Sequence, residues 1–194
     1  MKTTLLVLLL ALSSLGCACC DPAGCGASSP PPPERVLFQF GPAADLSAWE
    51  IQDDVVMGGR SQGAFALNEA GNLVFSGAVS LENDGGFSSL QYGFEPIDVS
   101  QHRALVIGLK GDGKRYQVRI ESQKNARHSY AYDFQTSGAW QAIEIPFADM
   151  YAIHHGDRLD RPNYPGKTLA HFQLLIGNAT AETFQIELDK IWLK

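Results

Sequence analysis

The chain has 194 residues, 45% of them apolar and 10% aromatic, with 15 Lys and Arg against 21 Asp and Glu for a formal charge of −6. That length and apolar content are enough for one domain with a buried core. An acidic balance without basic clusters excludes nucleic acid as a partner, and abundant aromatic residues and glycine with little 3.6-residue periodicity point to an all-β fold.

The first residues read as a processing signal. Lys2 supplies a positive n-region, Leu5 to Leu12 an apolar run too short to span a bilayer, and Ser13-Ser14-Leu15-Gly16-Cys17 a lipobox-like end. The expectation is an exported lipoprotein with a signal peptide over 1–17. Lipidated Cys17 would be its only membrane contact, with plain secretion as the alternative. The four cysteines, Cys17, Cys19, Cys20 and Cys25, all lie here, so the folded domain is expected to have neither a disulfide nor a thiol nucleophile. Residues 18–34 form a Cys/Pro-rich tether, with Pro30 to Pro33 favouring extended polyproline II. The domain proper is expected over 35–194.

From there the pattern predicts about ten short strands. Val36 to Phe40 is the first, followed by a short helical turn over Gly41 to Ala48. Gly63 to Asn68 and Leu73 to Val79 follow, then Phe87 to Phe94 after the turn signal Asn83-Asp84-Gly85-Gly86. Leu105 to Leu109 and Tyr116 to Ile120 are expected as a hairpin about Gly111-Asp112-Gly113. Tyr116, Val118 and Ile120 face the core, and Gln117, Arg119 and Glu121 face away. Ser129 to Phe134, Trp140 to Ile145, Phe172 to Ile176, Phe184 to Leu188 and Ile191 to Leu193 complete the set. The segment Asp149 to Thr168 reads as one long irregular loop. Trp49, Trp140 and Trp192 are expected in the core.

The stretch Trp49 to Gly63 matches neither a helix nor a simple strand. Its acids Asp53 and Asp54 could act as an acid/base pair or bind calcium, but neighbouring acids in a turn more often accept from backbone N–H groups. Gly59-Arg60-Ser61-Gln62-Gly63 fits the nucleophile-elbow pattern, without the strand before and helix after that the elbow needs. Gly108 to Lys114 fits a phosphate loop but ends in Arg115 and runs into a strand. His154-His155 lack a third ligand at defined spacing.

Four ordered blocks and a closing strand carry a resemblance. Trp49…Asp53-Asp54-Val55-Val56-Met57-Gly58-Gly59-Arg60-Ser61 resembles the signature of the complex I intermediate-associated protein 30 family. Phe75-Ser76-Gly77 with Leu81 to Ser89, Leu109 to Tyr116, and Trp140 to Met150 are similar to its further blocks, and Phe184 to Trp192 to its closing strand. The resemblance covers Val36 to Leu193. It implies a galactose-binding-domain-like jelly-roll β-sandwich and a non-catalytic role, since eukaryotic members assist assembly of respiratory complex I as chaperones on intermediates. The residues it marks as a family motif or binding face are Trp49, Asp53, Asp54, Met57, Gly58, Gly59, Arg60, Ser61, Asn83, Gly85, Gly86, Phe87, Ser88, Asp112 and Tyr116, with Asp84 beside them.

The expected function is therefore a non-enzymatic, assembly- or chaperone-like module with a protein partner and no cofactor or metal. Carbohydrate binding on the same fold is the alternative, and an enzyme built on His154, His155 and a nearby acid is a third reading. Trp49 to Gly63 itself is expected to be a turn assembly packed on Asn83 to Ser89, structural before it is ligand-binding.

Overall fold

Two strands carry near-continuous apolar runs, and both lie inside a sheet. They are β6 (Ala104–Lys110) and β12 (Thr168–Ile176), seen in a computed structural model that describes residues 33–194. Around β6 the first sheet runs β3 (Gln62–Leu67), β4 (Leu73–Val79), β13 (Glu182–Leu193), β6 and β9 (Trp140–Pro146). Strand β1 (Arg35–Gln39) also pairs with β13, alongside its last residues. Around β12 the second sheet runs β11 (Asp157–Arg158), β10 (Tyr151–His154), β8 (Ser129–Gln135), β7 (Arg115–Glu121), β12, β5 (Ser88–Asp98) and β2 (Trp49–Asp53).

Every pairing is antiparallel, and strands distant in sequence lie side by side: β4 beside β13, β5 beside β12. This is a jelly-roll β-sandwich, in agreement with the expected class. Alternation sets the core. Phe75, Leu105, Ile107, Leu109, Ile186 and Leu188 from the first sheet meet Leu90, Val118, Ile120, Phe172 and Leu174 from the second, all at most 1% exposed. Each contributes about 1.5–3 kcal/mol of transfer free energy. One end is sealed by aromatics, with Trp49 set 5.0 Å from both Phe38 and Tyr92.

Several expectations need correction. The segment Asp149 to Thr168 is not one irregular loop, because β10 and β11 form a small hairpin within it. Its turn has His155 at φ +52° and Gly156 at φ +95°, and His-Gly is not a usual turn signal. Strands β6 and β7 are no hairpin either. They lie in different sheets, so Gly111-Asp112-Gly113 turns the chain across the sandwich edge, although Tyr116, Val118 and Ile120 do face the core. Phe184–Leu188 and Ile191–Leu193 are one strand, β13, whose pairing with β6 shifts register between Leu188 and Lys190. Gly41 to Ala48 forms turns, not a helix, and Trp49–Asp53 is a strand. Trp140 is 49% exposed, and Trp192 lies half-buried beneath the Lys190 ammonium, 4.2 Å from the ring centroid.

Candidate functional site

The chain crosses from the second sheet to the first between β2 and β3, and from the first to the second between β4 and β5. The two crossings run side by side at one corner, because β2 pairs with β5 and β3 with β4. They are the Trp49–Gly63 and Asn83–Ser89 blocks, and Asp54 joins them. Its side chain is wholly buried. Ser61 N–H donates to Oδ1 at 2.9 Å. The Ser61 hydroxyl at 2.5 Å, Gly86 N–H at 2.6 Å and Phe87 N–H at 3.2 Å donate to Oδ2. Burial works to raise the Asp54 carboxyl, but these four donors outweigh it and hold the group below the usual carboxylate range.

The glycines make room for this contact. A Cβ on Gly59 would overlap the Asp54 carboxylate. One on Gly85 would lie 2.7 Å from its Oδ2 and 2.9 Å from the Ser80 carbonyl. Asp54 to Met57 form a single 3₁₀ turn, closed by Gly58 at φ +93°. The Asn83 amide donates to the Gly58 carbonyl at 3.1 Å, with Asn83 and Asp84 themselves at positive φ. Ser61 also accepts from Ser80 N–H at 3.0 Å. A hydroxyl with no exposure, committed to a carboxylate, is no nucleophile, so the elbow pattern is a structural coincidence.

The remaining motif residues divide. Asp53 Oδ2 accepts from Gly63 N–H at 2.9 Å, while its Oδ1 and the Ser88 hydroxyl are buried without partners. Arg60 does not join the buried cluster, because it pairs with Glu82 at 3.3 Å in solvent. Asp112 and Tyr116 belong elsewhere. Asp112 accepts from Lys114 and from Gln185 N–H at 3.0 Å, and Tyr116 stacks in the core 6.3 Å from Phe134. His154 and His155 stack edge-to-face on each other at 4.1 Å, and no group of three metal-ligating side chains occurs among the described residues.

What the corner displays is apolar. Val55, Val56 and Met57 are 56%, 68% and 61% exposed, with Leu81 nearby in sequence to the second block at 45%. Val56, Met57 and Phe87 also wall a depression of about 600 Å³ on the outer face of the second sheet. That depression adjoins another of about 470 Å³, and the two share Arg119, Ile153, Gly156, Leu175 and Gly177.

The floor of this face is polar and largely hydrogen-bonded. Register places Gln91, Gln173 and Arg119 in one row across β5, β12 and β7, and Ser89, Leu175, Gln117 and Asp133 in the next across β5, β12, β7 and β8. Gln173 donates to the Ser89 hydroxyl at 2.9 Å, and His171 meets Gln91 at 3.1 Å. Gln117 donates to Asp133 at 3.1 Å and to the Tyr151 oxygen at 3.0 Å, and Tyr151 donates to Asp133 at 2.6 Å. Burial, with that bond to Asp133, pushes the Tyr151 phenol up to about 12. Burial pulls the Arg119 guanidinium below its ordinary value, against the opposing influence of Tyr151 and Asp133. This face was missed as a site. Its signal was present in the outward Gln117, Arg119 and Glu121, and in the polar His171 and Gln173 that interrupt the apolar run of β12.

Comparison with known proteins now places the chain. The family model described as Complex I intermediate-associated protein 30 matches residues 38–188. The chain belongs to that family. A relative, the mitochondrial Complex I intermediate-associated protein 30 of Mus musculus, is 26% identical over 144 residues, covering 63% of this chain and 44% of the relative. The match thus spans less than half the length of that curated relative. Among solved structures, a family 11 carbohydrate-binding module of Clostridium thermocellum, in complex with a β-1,3-1,4-mixed-linked tetrasaccharide, superposes with a TM-score of 0.58 at 17% identity. It covers 82% of this chain and 94% of that one. An agarase superposes with a TM-score of 0.54 at 10% identity, over 83% of this chain and 24% of that one. At these identities the likeness shows the fold, which is galactose-binding-like.

Proposed function

We propose that this chain is a non-catalytic binding module that holds a protein partner in the manner of an assembly factor or chaperone. The observation that carries the reading is the signature corner. Its buried Asp54 fixes a turn whose displayed side chains, Val55, Val56 and Met57, are apolar and more than half exposed. A contiguous exposed apolar patch on a rigid support marks a protein-contact site. Membership of the family supports the same reading, as does Ser61, the one residue with a nucleophile motif, being locked to Asp54. The leader supports export and lipid anchoring through Cys17; it lies outside the described residues. Crosslinking in the native host with wild type and a Val56→Asp/Met57→Lys variant tests the proposal. A partner captured equally by both would sink it.

A second reading, carbohydrate binding, is favoured by one observation: the amide-rich outer face of the second sheet, where Gln52, Gln91, Gln117 and Gln173 surround two joined depressions. A glycan array without hits would remove it.

A further inference from the structure

We infer that the outer face of the second sheet is a receptor for a carboxylate-bearing saccharide, with the Arg119 guanidinium as the group that recognises the charge. The inference rests on the second reading above and narrows it. Arg119 sits mid-strand on β7, which is paired on both sides, by β8 and β12. Its Nε donates to Gln117 Oε1 at 2.5 Å, and its two terminal nitrogens have no hydrogen bond or ion pair among the described residues. The neighbouring acids are committed elsewhere. Both oxygens of Asp133 accept from Gln117 or Tyr151, and Glu121 accepts from Ser129 at 3.2 Å. A partly desolvated cation whose neighbouring acid, Asp133, acts on it without a direct ion pair leaves its terminal nitrogens open, and its planar fork matches a carboxylate in two parallel N–H···O bonds.

The surroundings favour an acidic saccharide over a neutral one or a peptide. An open aromatic face strengthens the hold on a neutral sugar by stacking, and this sheet offers none of its tryptophans or tyrosines for that. Trp49 and Tyr116 are buried, Tyr92, Tyr130 and Tyr132 pack against the core, Trp140 and Trp192 belong to strands of the other sheet, and the Tyr151 ring is covered by Arg158 at 4.6 Å. Charge therefore takes the place of stacking, reinforced by Arg115 and Arg158 around one depression and Arg127 at the other. The amides of Gln91, Gln117 and Gln173 are suited to sugar hydroxyls. A peptide adding as a strand would need a free backbone edge, and β7 has none. From β2 to β11 the face spans six strand spacings, about 29 Å, which suits an oligomer.

Calorimetric titration of the full-length protein with oligogalacturonate, its methyl ester and polyglutamate tests this. The expected result is oligogalacturonate binding at least roughly tenfold tighter than the ester. Arg119→Gln should lose that preference and Arg119→Lys keep part of it, with circular dichroism confirming that both variants fold. Equal binding of acid and ester overturns the inference while leaving the carbohydrate reading standing. Binding of polyglutamate alone overturns it in favour of a protein ligand. Binding of none overturns it, while the carbohydrate reading falls only if a glycan array is also without hits. Wild-type affinity in a folded Arg119→Gln protein also overturns it. Because the acid–ester comparison uses wild-type protein, it stands even if a variant misfolds.

Discussion

Asp54→Asn isolates the group that joins the two crossings. In its better orientation the amide oxygen occupies the Oδ2 position and keeps Ser61, Gly86 and Phe87 as donors. The amide NH₂ then faces the buried Ser61 N–H, which loses its acceptor. An orphaned buried N–H costs about 1–3 kcal/mol, and three charge-assisted bonds reduced to neutral ones lose roughly 1 kcal/mol each. Relief of the buried charge offsets part of this, leaving a net loss of about 3 kcal/mol. For a domain of this size that is roughly 6–12 °C in Tm. Urea unfolding followed by tryptophan fluorescence measures it. The depressed carboxyl also fixes the pH dependence. Its contribution is complete above the unfolded value near 3.9 and is lost as pH falls through the lower folded value, so the variant should lack that acid-side loss. A variant within about 0.5 kcal/mol of wild type at neutral pH would refute the assignment of Asp54 as the anchor.

Two further outcomes follow from the structure and a third from the leader sequence. Gly59→Ala forces a methyl into the Asp54 carboxylate and should cost about 2 kcal/mol or more, yet combine with Asp54→Asn less than additively in a double-mutant cycle. Burial lowers the His171 imidazole, with Glu121 and Glu50 opposing, so its contribution is present above 6.5 and lost as pH falls through the folded value; His171→Gln should shallow the decline measured by urea titration between pH 7 and 5. Cys17→Ser should move the protein from the membrane to the soluble fraction on cell fractionation, and unchanged membrane retention would discard the lipid anchor.

The fold was largely legible because alternation is a local signal. Tyr116, Val118 and Ile120 reveal which side of β7 is buried whatever strand lies beside it. The partner strand is a different matter. The same alternation and the same Gly-Asp-Gly turn serve a hairpin or a corner between sheets, and the choice between them depends on β8 and β12 competing for the edges of β7. The β10–β11 hairpin was hidden because His155 supplies a positive φ more often taken by Asn or Gly. At the signature stretch, Asp53 and Asp54 were legible as backbone acceptors, and the packing on Asn83 to Ser89 was legible with them. Sequence could not separate the two acids, since burial of one and partial exposure of the other follows from where β2 ends. The sheet face was not legible as a site, because Gln91, Arg119, Asp133 and His171 lie on four strands and meet only through register.

The signature corner and the sheet face are mechanically connected. Gly86 and Phe87, which donate to Asp54, immediately precede β5, and Asp54 immediately follows β2. Anchoring both strand ends fixes the pairing of Gln52 with Ser89 and Glu50 with Gln91, and so the side of the sheet on which those groups appear. A slip of one residue would turn Ser89 and Gln91 into the core. Conversely, Val56 and Met57 stand on the anchored turn and wall the depression whose floor includes Gln52, Gln91 and Gln173. The family's identifying stretch therefore acts through position. Asp54 and Ser61 are consumed in holding a corner, which displays the apolar Val55, Val56 and Met57 and registers the adjoining strands.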